Sequence, residues 1–476
     1  MRVLLVNPNR MRPPVAPIAL EYLAAALSRA NHQVTVADLG LVDDPAVELA
    51  STLDAFDAQL VGVTVRNSDD CFMASATSFV PATAELVAQI RERTAAPIVL
   101  GGAGFSAVPD GLLARTGADY GVRGDGEDAL PRLATAIEER ADPAGIPGLA
   151  IRGRASMGAP PANAPDLSGS EPLRWEWIEV ADYFRQGGQA GVETKRGCPQ
   201  ACVYCADPLS KGSRVRPRPL EAVAREIAGL VAAGIDHLHL CDAEINIPPE
   251  HLVALCRELA RRGLGERVRW YGYATPQGFS AELARWARRA GCAGINFGSD
   301  SGDDAMLAAL GRSHTAVDVA AATKACRDEG IAVMHDLLLG GPGETRESIA
   351  RTIELMKHLE PTCVGVSFGV RLYPGTRLAR AITQQGPLAR VPGVRGEVEG
   401  NEDLALPVFF VEPGLGDEPE RYIADLIGRD PRFFFGGQVE EEADYNYNDN
   451  TRLAEAIRNG ARGAYWRILA ELRGLL

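Results

Sequence analysis

Glu193-Thr-Lys-Arg-Gly-Cys198-Pro-Gln-Ala-Cys202-Val-Tyr204-Cys205 sets three cysteines at C-x3-C-x2-C spacing on one short loop. An apolar run precedes it and a basic, proline-broken stretch follows. Three thiolates this close in sequence can converge on one soft metal centre. A structural zinc takes four protein ligands, yet the next Cys or His downstream is His237. A 4Fe–4S cubane held by three cysteines instead keeps one iron open to a small ligand. Three buried structural thiols are the plain alternative. The clustered spacing, Tyr204 and the Gly197/Pro199 punctuation weigh against it.

Outward from this loop, apolar runs alternate with helical patterns. Strands are expected over 189–194, 237–241, 268–273, 294–298, 333–339 and 364–370. The intervening helices are expected over 220–233, 249–262, 279–290, 316–329 and 345–358. Six strands joined in this way suggest a partial parallel barrel, a partial (β/α)6 unit over 191–385, with function at the carboxyl ends of its strands. Those ends carry Asp242-Ala-Glu244-Ile-Asn246, Gly298-Ser-Asp300-Ser301-Gly302, Gly340-Gly-Pro-Gly343-Glu344-Thr345 and Tyr373-Pro-Gly-Thr376.

The C-x3-C-x-(aromatic)-C pattern, with Tyr204 in the aromatic place, resembles the signature of the radical S-adenosylmethionine (SAM) superfamily. The four later motifs resemble, in order, features of its cobalamin-type members. The resemblance implies a 4Fe–4S cluster on Cys198, Cys202 and Cys205. It implies SAM contacts from Asp242, Glu244, Asp300 and Ser301, and a turn at Gly340–Thr345 supporting the adenosine end. The family's acidic residue after the fourth strand is Glu, and here it is the shorter Asp300. Asp242 and Glu244 also suit a helix N-terminal cap. Lys195 and Arg196 could offset the cluster's charge or form a solvated pair. His335 and Asp336 fall in the fifth strand, His335 reading as a core histidine.

Residues 1–140 show the same alternation. Strands are expected at 2–6, 33–37, 59–65, 98–101 and 120–122, and helices at 19–30, 83–93 and 129–140. That pattern gives a doubly wound parallel sheet, with ligands beyond its carboxyl edge. No G-x-G-x-x-G follows the first strand, which argues against a dinucleotide fold. The domain resembles the cobalamin-binding domain upstream of many radical SAM enzymes. That likeness implies cofactor contacts from Gly101, Gly102, Gly124, Gly126 and Glu127, with Asn7 in the loop after the first strand. The one histidine, His32, is expected on the surface, so no histidine is well placed below cobalt. Arg66, with Asn67 and Asp69 beside it, is expected near the corrin's lower face. Pairing of Arg66 with Asp69 or Asp70 is the alternative. Arg66 and Tyr204 are the expected catalytic residues.

A linker is expected over 141–190, where Pro160, Pro161, Pro165 and Pro172 interrupt any helix. Residues 386–476 are expected to form a small, mainly helical C-terminal domain that sets the substrate. They include a lid at 436–450 and a final helix over 452–475. The chain has 476 residues, of which 46% are hydrophobic and 24% charged, and a net charge of -14. That charge argues against a nucleic-acid partner. The absence of a long apolar run argues against a membrane span. Nine cysteines, six of them scattered, suit a reducing cytoplasm. The expected function is cobalamin-dependent radical SAM methylation of a carbon in a small-molecule substrate. A flavodoxin or ferredoxin is the expected electron donor, and the protein is expected to be a monomer. Cyclisation, ring contraction, rearrangement and polar methyl transfer through cobalamin are the alternatives.

Overall fold

The computed structural model describes residues 1–154, 165–435 and 447–476. The first sheet comprises β1 (Arg2–Asn7), β2 (Gln33–Asp38), β3 (Leu60–Thr64), β4 (Ile98–Gly101), β5 (Tyr120–Val122) and β6 (Leu149–Ile151), in the order β2-β1-β3-β4-β5-β6. Pairings from β2 to β5 are parallel, and β6 closes the edge antiparallel. Val3 to Val6 of β1 are all buried, as an apolar run must be when helices cover both faces. The helices Ile18–Arg29 and Gly126–Glu138 cover one face, and Pro45–Phe56 and Val80–Arg93 the other. Strand order reverses between β1 and β3. The switch point, where a ligand crevice opens in such sheets, therefore lies between the loops at Pro8 and Arg66.

Beyond β7 (Ala190–Val192), a two-strand hairpin, β8 (Lys195–Arg196) and β9 (Arg216–Pro217), carries the cysteine loop. The second sheet continues through β10 (His237–Leu240), β11 (Arg269–Ala274), β12 (Cys292–Asp300), β13 (Ala332–Leu339) and β14 (Cys363–Phe368). Every pairing is parallel and follows chain order, the arc of a partial barrel. Helices pack on one face. Three of them start at Ser280, Thr315 and Thr345, whose side chains accept backbone N–H groups of the first turn.

The described part of the tail is mainly helical, as expected, with three short strands added. β15 (Val370–Arg371), β16 (Val394–Gly396) and β17 (Val408–Phe410) form a small antiparallel sheet. β18 (Phe433–Phe435) adds a seventh parallel strand beside β14. The expected helix over 452–475 is two helices, Thr451–Arg458 and Tyr465–Leu472. Gly463 breaks it with a φ of 119°. A Cβ there would lie 2.6 Å from the Tyr271 hydroxyl, so apolar periodicity alone hides the turn. The second helix lays Trp466 and Leu469 against Tyr271, Met334, Cys363 and Phe434, on the sheet face away from the other helices. The stretch expected as linker contains β6 and the helix Val180–Gly187. Most of the expected lid, 436–446, lies outside the described residues.

Buried polar contacts join the two units. Arg371 donates to Asp69 at 2.9 and 3.1 Å, both groups buried. Tyr183 donates to Asp38 at 2.9 Å and accepts from Asn7 at 3.0 Å. Glu21 accepts the backbone N–H groups of Glu176, Trp177 and Ile178. His32 is buried rather than on the surface, bonded to the N-terminus and Thr135. It sits at the amino end of β2, away from the crevice.

Candidate active site between the two sheets

The hairpin is tightly closed. Gly197 has φ +94°, and a Cβ on it would lie 2.1 Å from the carbonyl oxygen of Arg214. The Cys198 N–H donates to Gly212 O at 3.0 Å. Behind the loop, Lys195 and Asp242 form a buried pair at 2.6 Å. Asp242 also accepts from the Thr194 hydroxyl and from the Thr194 and Lys195 N–H groups. Burial would raise the Asp242 carboxyl, but Lys195 and Thr194 hold it below its usual range. Both its oxygens are engaged, so Asp242 anchors the cysteine loop instead of facing SAM.

The three thiols lie close enough to perturb one another, and burial pushes Cys198 up to about 11. Iron ligation would displace those protons. No group of three or more His, Cys, Asp or Glu side chains among the described residues gathers around a point as a single ion needs. Three thiols on one short loop suit an iron–sulfur cluster with one iron left open. Tyr204 donates to Asp300 at 2.5 Å. Asp300 adopts φ 58° at the end of β12 and lies 3.4 Å from Arg312. Arg312 reaches Cys202 Sγ at 3.1 Å, Gly298 O and, at 3.8 Å, Glu244. Sequence reasoning missed Arg312. It follows Gly311 in a loop, where a lone arginine carries no spacing signal.

Glu244 Oε2 is buried and has no hydrogen-bond partner among the described residues, and burial pushes its carboxyl to about 7. An orphaned acceptor beside the cysteine loop fits a bound cation such as the SAM ammonium. Ser301 is completely buried, bonded to Thr352 and the Asp303 N–H. It supports the β12 turn. Glu344 is likewise internal, accepting from Ser348 and the Gly340 N–H.

On the N-terminal side, two cavities flank the end of β3. The first, about 180 Å³, is lined by Gly101, Gly102, Gly124, Gly126 and Glu127 together with Leu5, Leu20 and Val99. A Cβ on Gly102 would lie 2.6 Å from the Val65 carbonyl oxygen. This narrow apolar slot with glycine walls fits a flat ring. The second, about 530 Å³, is lined by Asn9, Met11, Arg66 and Asn67. Asn7 and Asp69 do not face either cavity; the interdomain contacts above engage both.

Arg66 is solvent-accessible yet enclosed by protein, near Tyr465, Cys241 and Tyr273. Tyr273 is 39% exposed and equally enclosed. These side chains therefore face an internal chamber. Arg66 pairs with neither Asp69 nor Asp70 among the described ion pairs, and it reaches Met11 Sδ at 3.7 Å. His239 borders the same chamber, and burial pushes its ring down to about 4, leaving it neutral at pH 7.

Residues 192–356 match the radical SAM superfamily and residues 9–134 the B12 binding domain. Tryptophan 2-C-methyltransferase of Streptomyces laurentii is 30% identical, over 98% of this chain and 95% of that one. The chain belongs to the cobalamin-dependent radical SAM methyltransferases. The structure of radical SAM methyltransferase TsrM from Kitasatospora setae, with tryptophan and a SAM analogue bound, has a TM-score of 0.90. It is 32% identical, covering 100% of this chain and 97% of that one. The radical SAM enzyme OxsB shares the fold, with TM-score 0.71 and 15% identity over 89% and 65% of the chains. The protein is thus an enzyme that methylates carbon in a small molecule. Its cofactors are a 4Fe–4S cluster, SAM and cobalamin.

Proposed function

We propose that the chain methylates C2 of the indole ring of tryptophan or of a closely related indole amino acid. The observation that carries this reading is the chamber's wall. Tyr273, Tyr447 and Tyr465 gather near the cation Arg66 and the carboxylate Asp336. Aromatic faces suit an indole, and charges of both signs suit an α-amino acid. Full-length likeness to a methyltransferase with tryptophan bound supports the same reading.

When bound, SAM supplies the methyl group, cobalamin carries it and the cluster supplies electrons. The chain's own residues position these groups and exclude water. Cys198, Cys202 and Cys205 hold the cluster. Arg312 and Tyr204 fix Asp300, and Glu244 offers its free oxygen to a cation. Arg66, which lines the second cavity, would present its positive charge to a bound corrin. A polar transfer is the second reading. It is favoured by Arg66, enclosed and without an ion pair among the described residues. An external flavodoxin or ferredoxin would supply electrons to a monomer in the cytoplasm.

Chromatography with mass spectrometry of the reconstituted enzyme, given SAM and L-tryptophan, tests the reading. Production of 2-methyltryptophan is expected, and no methylated tryptophan would reject it. S-adenosylhomocysteine without 5′-deoxyadenosine marks the polar route, and both together mark the radical one. Arg66→Ala should lower turnover about a hundredfold, the loss typical of one preorganised electrostatic group. Full turnover in that variant would remove Arg66 from the site.

A further inference from the structure

The apolar slot has two walls of different origin. One is the glycine-rich edge of the first sheet. The other consists of Glu193, Arg196, Ser210 and Lys211. Arg196 stands two residues before Cys198, and Ser210 and Lys211 lie in the short helix Asp207–Lys211 that starts two residues after Cys205. Both ends of the cysteine loop therefore form a wall of the slot that suits the cobalamin nucleotide tail.

Charged contacts lock this wall to the opposite one. Arg196 lies 2.6 Å from Glu127, 3.5 Å from Asp125 and 2.8 Å from Glu193. Its guanidinium stacks 4.9 Å from the ring centre of Tyr22, another slot residue. Arg216, paired with Arg196 across the hairpin, bonds Asp125 as well. Arg196, Asp125 and Arg216 are all largely buried. Lys211 meets Asp207 at 3.0 Å and keeps further donors. A lysine beside a serine hydroxyl suits a phosphodiester, the one anion of the nucleotide tail.

We propose that the cysteine loop itself reads the nucleotide tail of the corrinoid, with Lys211 and Ser210 on its phosphodiester. Arg196 acts as the positioning residue that links the filled slot to the cluster. Tail binding and cluster binding then reinforce each other. Coupling of this kind is reciprocal: whatever factor the cluster adds to tail affinity, the tail adds to cluster retention.

Cobinamide, a corrinoid without the nucleotide tail, separates this coupling from corrin binding in general. Affinities of cobalamin and cobinamide are measured by absorbance titration on the cluster-loaded protein and on protein stripped by a chelator. Stripping should weaken cobalamin about fivefold or more and leave cobinamide within about twofold, below the usual range of such coupling. Lys211→Gln should weaken cobalamin about tenfold, as befits a lost charged hydrogen bond, and leave cobinamide unchanged. Arg196→Gln should abolish the difference between loaded and stripped protein, with Arg196→Lys restoring part of it. In the reverse direction, cobalamin should slow chelator removal of iron and cobinamide should not. Equal weakening of both corrinoids, or no change in either, overturns the proposal, as does an unaltered cobalamin affinity in Lys211→Gln.

Discussion

The slot and the chamber are built by opposite rules. The slot is lined by leucine, valine and glycine, and its charges are paired at the rim. The chamber is lined by tyrosines, a neutral histidine and an arginine without an ion pair among the described residues. An apolar slot gains affinity by burying surface. A polar chamber holds groups that respond to charge developing during a reaction. On the proposed reading, one cofactor would be gripped in the slot at a distance from the place where it reacts.

Substitutions can break or sharpen this contrast. The largest effect belongs to Cys202→Ser. Iron ligation and turnover should both be lost, read by iron content and methyl transfer, and a variant retaining full activity would remove Cys202 from the cluster. Next is Arg371→Met, which leaves the buried Asp69 carboxylate without its cation at the junction of the two units. Breaking one partner of such a pair costs about 3–5 kcal/mol, so the thermal unfolding midpoint should drop sharply. A midpoint equal to the parent's would show that Asp69 finds another partner.

Glu344, in the turn after β13, gives a pH-dependent effect. Burial pushes its carboxyl from 4.5 to about 7. Its stabilising contribution is therefore fully present below about pH 4.5 and is lost as pH rises through about 7, roughly 3 kcal/mol in all. Glu344→Gln should flatten that decline in chemical denaturation, and an unchanged slope would assign it to other groups. The smallest effect is expected at the slot. Gly102→Ala forces a Cβ against the Val65 carbonyl at positive φ, a strain of about 1–3 kcal/mol. Cobalamin should bind more weakly while SAM binding holds. Weakening of both would mean that the two regions are not separable.

The sequence made the cysteine loop, both parallel sheets and the glycine turns legible, because spacing and strand periodicity are local signals. It did not reveal what a carboxylate faces. Asp242 and Glu244 are two residues apart and looked alike. In the structure Asp242 is consumed by Lys195 and Thr194, while Glu244 keeps a free oxygen. Asp69 and Arg66 share a loop, yet Asp69 holds Arg371 and Arg66 enters the chamber. Arg312 and Arg371 were invisible because their partners are remote in the chain. Phe433-Phe434-Phe435 carries no strand signal of its own, since a three-residue strand is recognised only by its pairing with β14.

The most direct measurement follows the methyl group. With SAM labelled in its methyl group and L-tryptophan, the label should appear at C2 of the indole ring, with one S-adenosylhomocysteine formed per product. Label at another carbon, or SAM consumption without labelled tryptophan, would contradict the account.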